Sequence, residues 1–142
     1  MEKSSSSICR GVHMTALRTD KFKFGLLSLS FILPLTAENA SAANLAARVL
    51  NRGCAKYPTL RDISLECDRL YFASNTAGCS KAGEALMMSF YVSTLDNAYA
   101  FDGTDVFGGV TALLGELLRR PLLENGGFKR EYLESEKKNL TD

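Results

Sequence analysis

Apolar and polar residues alternate through the stretch Leu27 to Leu33, with Leu27, Leu29, Phe31 and Leu33 on one parity and Ser28 and Ser30 between them. A period of two sends successive side chains to opposite faces, so this stretch predicts a half-buried strand. It runs out at Pro34, whose missing N–H suits a strand end. Over residues 13–35 the pattern fits one long strand, or two strands with a turn near Thr19-Asp20. The period then changes. Ala43, Ala46, Ala47 and Leu50, with Leu45 and Val49, predict a helix that starts at Glu38 or Asn39, reaches Asn51 and stops at Gly53. Its alanine-rich face would let it lie close against a sheet or another helix.

Pro58-Thr59 opens a second helix, with Thr59 as N-cap, Asp62 three residues on, and Leu60, Ile63, Cys67, Leu70 and Tyr71 at helical spacing. Cys67 is then a core thiol. The small, polar residues 73–82 and the β-favouring residues 84–94 predict two antiparallel strands joined near Ala82-Gly83. Asp105 caps a third helix, Val106 to Arg120, whose stripe of Val106, Val110, Leu113, Leu114, Leu117 and Leu118 is broken by Pro121. Gly126-Gly127 marks a loop before a last helix from Phe128, with Glu134 and Lys138 at i, i+4 spacing. No stop signal precedes Asp142, so the chain reads as a fragment. The expected layout is a disordered tail over residues 1–12 (serine-rich at its start) and, over 13–142, one α+β unit truncated at its C-terminal end. That unit is an antiparallel-rich sheet with helices packed on one face.

Composition narrows the function. Seventeen basic residues against sixteen acidic ones leave a formal charge of +1, so no global field draws nucleic acid or an anionic membrane. The four cysteines (Cys9, Cys54, Cys67, Cys79) form no CxxC pair and have one histidine, His13, beside them. That usage reads as reduced thiols in a cytoplasmic protein. An exported protein is the alternative. Arg18, Lys21 and Lys23 precede the apolar run from Gly25 to Leu35, and Ala40-Ser41-Ala42 resembles a cleavage site, with a disulfide among Cys54, Cys67 and Cys79 to follow. The alternating serines, the polar start containing Glu2 and Asp20, and the unbroken helical composition past Ala42 favour the strand. The run is also too short and too rich in serine to span a bilayer.

No phosphate-binding glycine loop, G-x-S-x-G or H-E-x-x-H motif occurs. Glu131, Glu134 and Glu136 predict the solvated face of the last helix rather than a cation site, because hard cations want oxygens converging from several elements.

The order of segments carries a resemblance. An apolar strand ending in Pro-Leu is followed by a helix closing in V-L-x-R-G-C (Val49–Cys54), a Tyr-Pro-x-Leu entry at Tyr57, and D-R-L-Y-F-A-S from Asp68. The later L-L-x-R-P-L-L and F-K-R-E-Y-L-E-S-E-K-K-N-L segments match a helix, a proline break and a Glu-rich helix. Across residues 13–142 this resembles the N-terminal portion of M16-type (insulinase or pitrilysin-like) metallopeptidases, within a non-catalytic bacterial subgroup associated with elongation factor P modification. In active members of that family the first helix carries H-x-x-E-H, two histidines as zinc ligands and a glutamate as general base. Counting back from Gly53, those positions fall on Asn44, Ala47 and Arg48, none of which can do that work. Glu136 matches an acidic position of the last-helix motif, with the third ligand falling at or beyond Asp142. The resemblance thus implies no catalytic, cofactor-binding or metal-ligating residue here, zinc being a cofactor of active members only. It implies an interaction or substrate-positioning role toward a peptide or protein substrate, alongside a catalytic paralogue or the missing remainder of the chain. An active zinc peptidase is the third reading, and one histidine opposes it.

Overall fold

The computed structural model describes residues 1–141. Strands β1 (Glu2–Cys9) and β2 (Val12–Arg18) form an antiparallel hairpin, turning at Gly11 with a φ of +81°. This corrects the expected disordered tail: Glu2 registers with Arg18 and Ser7 with His13, so the serine run finds its backbone partners across the hairpin, on β2. Every residue of both strands nonetheless stays exposed. The chain then takes the two-strand layout, breaking at residues 19–23.

Strand β3 (Phe24–Pro34) pairs antiparallel with β5 (Ala85–Leu95), which pairs antiparallel with β4 (Ser74–Ala82), giving the order β3-β5-β4. A two-residue turn led by Gly83 (φ +62°) joins β4 to β5, the left-handed conformation glycine adopts without steric cost. Leu29, Phe90 and Ala77 stand in one cross-strand row. On this parity the sheet meets helices α1 (Ala37–Leu50) and α3 (Val106–Arg119), forming a core of Ala47, Leu70, Ala73, Phe90, Val92, Val106, Val110 and Leu114. Phe90 is fully buried, which contributes about 2–3 kcal/mol. Over the described residues the architecture is therefore α+β, with antiparallel sheets and four α-helices.

Each helix has a local cause. Thr36 caps α1, accepting from Asn39 N at 3.1 Å, and the buried Ala43 and Ala47 admit the helix against β4 and β5. Ala40-Ser41-Ala42 lies within α1, and the apolar run before it is β3, so cleavage near Ala42 would sever the helix from its strand. Gly53 does not stop α1 through a left-handed conformation. Instead a Cβ there would sit 2.5 Å from the Pro58 carbonyl oxygen, where the loop doubles back.

Helix α2 (Leu60–Arg69) opens on a capping box. Thr59 accepts from Asp62 N at 3.2 Å, and the Asp62 carboxylate accepts from Thr59 N at 2.9 Å. It packs Ile63 and Cys67 with Cys54, Leu113 and Leu117. Strands β6 (Leu123–Glu124) and β7 (Gly127–Phe128) turn through Asn125-Gly126, both at positive φ, before α4 (Arg130–Thr141) crosses α1. Among the described residues no helix is long and apolar enough to cross a membrane.

Candidate functional site

The contact between α1 and α4 concentrates the charge that the fold buries. Asn44, Arg48 and Arg52 recur every four residues, which places their side chains above one another along one face of α1 and its C-terminal extension. Glu136 of α4 faces them and is only 6% exposed. Arg52 Nη1 donates to Glu136 Oε1 at 2.7 Å, and Arg48 Nη1 stands 3.8 Å from Oε2. Asn44 Oδ1 accepts from Arg48 Nε at 3.4 Å, orienting that guanidinium.

Arg52 is held from a second direction. Its guanidinium lies 5.2 Å from the Tyr132 ring centroid and donates to Ser135 Oγ at 3.4 Å. Tyr132 in turn donates its hydroxyl proton to the Pro58 carbonyl at 2.7 Å. Stacking, ion pair and hydrogen bond together fasten α4 across the end of α1 and the loop that follows.

Three of the residues singled out above thus meet in space, and one does not. Asn44, Arg48 and Glu136 converge, whereas Ala47 is fully buried in the sheet-side core. The expectation that Glu136 belongs to a solvated helix face is corrected, since the crossing of α4 over α1 takes it out of water. Glu134 and Glu131 do remain outside, joined to Lys137 and Lys129. Sequence reasoning missed Arg52, although its spacing four residues beyond Arg48 was available as a signal. The last-helix ligand expected at or beyond Asp142 lies outside the described residues.

The donor set does not fit zinc. It offers one carboxylate and one amide oxygen beside two permanent cations, and among the described residues no three His, Cys, Asp or Glu side chains group as metal ligands. A dication about 4 Å from a guanidinium is disfavoured by roughly 8 kcal/mol at an effective dielectric near 20. Chemically the site can hold two helices together; no step through a metal follows from it. The cysteines are free, with Cys54 and Cys67 buried, Cys79 half-buried and Cys9 exposed. Burial raises the Cys67 and Cys79 thiols above their usual range, which keeps them protonated.

Among the described residues, Glu136 is the one charged side chain that the fold buries. The chain is 30% identical over 130 residues to a Bacillus subtilis (strain 168) protein named "Probable inactive metalloprotease YmfF", covering 92% of this chain and 30% of that one. It also superposes on the crystal structure of a conserved protein from Enterococcus faecalis V583, with a TM-score of 0.92 and 25% identity, over 97% of this chain and 32% of the other. This chain therefore spans about a third of the length of the relatives it matches. No protein-family model matches it. The specific resemblance drawn from segment order, to the N-terminal portion of an M16-type peptidase and its elongation-factor-associated subgroup, is overturned. The proteins it matches carry a more general description, and neither bears that assignment.

Proposed function

We propose that this chain is a non-catalytic, metallopeptidase-like protein that works in the cytoplasm as an interaction or substrate-positioning part of a larger peptidase-like assembly. That assembly would be completed by a catalytic paralogue or by polypeptide equivalent to the rest of its relatives, and would act on a peptide or protein. The observation that carries this reading is the Arg48–Glu136–Arg52 clasp, where two guanidiniums neutralise the one carboxylate buried among the described residues. The name of the Bacillus subtilis relative supports it. The buried free cysteines support a reducing compartment.

The test is a hydrolysis assay on the purified chain with a quenched-fluorescent peptide library, with and without added zinc and with a chelator. The reading expects no chelator-sensitive turnover. Zinc-dependent cleavage abolished by the chelator would refute it.

A further inference from the structure

We infer that the free edge of β3 is a docking site for a further β-strand, supplied by polypeptide that corresponds to the two thirds of the matched relatives this chain does not span. The inference rests on the reading above, that the chain is one part of a larger assembly, and assigns that assembly a contact.

Strand β3 lies at the edge of its sheet, paired with β5 alone. Its eleven residues, FGLLSLSFILP, contain no charge, and a single proline stands at the far end. Natural edge strands are usually blunted by lysine, by interior proline, by a bulge or by shortness, and β3 has none of these. One face is apolar throughout, and the other sets Phe24, Leu26 and Ile32 around Ser28 and Ser30. On the helix side α1 and α3 cover β5 and stop short of β3, leaving Leu29 37% and Phe31 40% exposed. On the other side Leu26 and Ile32 are 66% and 74% exposed.

The opposite edge shows the contrast. β4 is small and polar (SNTAGCSKA), with Lys81 exposed near its end. Among the described residues, the long uncharged edge of this sheet is that of β3.

A second observation points the same way. The β1–β2 hairpin exposes Ile8, Val12, Met14 and Leu17, and two strands alone are marginal in water. It is a second apolar surface that the described residues leave uncovered. The solved relative contains nearly all of this fold within a chain about three times as long. The occupant is therefore polypeptide of that origin, an extended apolar segment that takes main-chain hydrogen bonds from β3 and covers its alternate side chains. The rival occupant is a second copy. Antiparallel self-pairing about Leu29 would set Leu26 opposite Ile32 and Leu27 opposite Phe31 without a charge clash, so the experiment must separate the two.

The probe is the unmatched segment of the Bacillus subtilis relative, expressed separately and mixed with the isotope-labelled full 142-residue chain. Light scattering gives stoichiometry, and amide hydrogen exchange locates the contact. The expected result is a one-to-one complex in which alternate β3 amides exchange at least about tenfold more slowly. Leu29→Lys and Ile32→Lys should each weaken the complex by about tenfold or more, and Ser80→Lys on the opposite edge should leave it intact. Retained protection of β5 amides identifies variants that still fold. No complex, a complex without β3 protection, or a homodimer protected at β3 would each overturn the inference. Zinc-dependent peptidase activity would instead sink the non-catalytic reading and leave the β3 result standing, so the two failures are distinguishable.

Discussion

Replacing Arg52 with methionine tests how the α1–α4 clasp works. The substitution keeps a long apolar stem but removes the 2.7 Å contact to Glu136, whose side chain is 8% exposed. Breaking a buried ion pair from one side costs about 3–5 kcal/mol, because the other charge is left desolvated. Two features reduce that figure. Arg52 is itself 24% exposed, and Arg48 remains 3.8 Å from the second carboxylate oxygen. Loss of the cation–π contact with Tyr132 adds about 0.5–1 kcal/mol. The expected destabilisation is about 2–3 kcal/mol, read from urea unfolding followed by circular dichroism. The double variant Arg52→Met with Glu136→Leu removes both charges and should recover most of the loss, giving a coupling energy of about 1.5 kcal/mol or more. A cost below about 0.5 kcal/mol for Arg52→Met, or additive behaviour in the cycle, would refute the clasp as a stabilising device.

Three further outcomes follow from particular contacts. Gly109 lets Leu70 approach α3 so closely that a Cβ would collide with Leu70 Cδ2. Gly109→Ala should therefore cost about 1–3 kcal/mol despite alanine's better helix propensity, and unchanged stability would contradict that packing. Asp102 accepts a hydrogen bond from Tyr71 Oη at 2.6 Å, and chiefly for that reason its carboxyl is held down to about 2, below the ordinary 3.8. A depressed carboxyl stabilises the fold above its unfolded value, and that contribution is lost as pH falls from about 4 through about 2. Tyr71→Phe should raise the Asp102 midpoint toward 3.8 in a carboxyl-carbon NMR titration, and an unmoved midpoint would contradict the assignment. Against a thiol reagent under native conditions, Cys9 should react first while the fully buried Cys54 waits for unfolding, and equal rates would contradict the burial.

Local signals carried much of the fold. The capping box at Thr59 and Asp62, the apolar stripe of α3 and the alanine face of α1 are each written in neighbouring residues, and each marks a helix. The β4–β5 hairpin was legible for the same reason, through Gly83. Long-range pairing was not. The serine run of β1 has weak strand preference by itself, and only its register against β2 orders it. Nothing local announces that β5 lies between β3 and β4 either. The candidate site divides along the same line. Asn44 and Arg48 were singled out through the family resemblance, as positions where its metal motif would fall. The burial of Glu136 depends on a contact made 84 residues away along the chain, on a helix whose own sequence is mostly polar. Arg52 escaped notice because it follows the last turn of α1, where a charge normally meets water.

Zinc stoichiometry tests the central claim most directly. The intact chain would be dialysed to equilibrium against micromolar zinc at neutral pH and its bound metal counted by mass spectrometry, beside Arg48→Ala and Arg52→Ala variants. With two guanidiniums set against Glu136, the account predicts far less than one equivalent on the intact chain. One tightly bound equivalent, lost on Glu136→Gln, would contradict it.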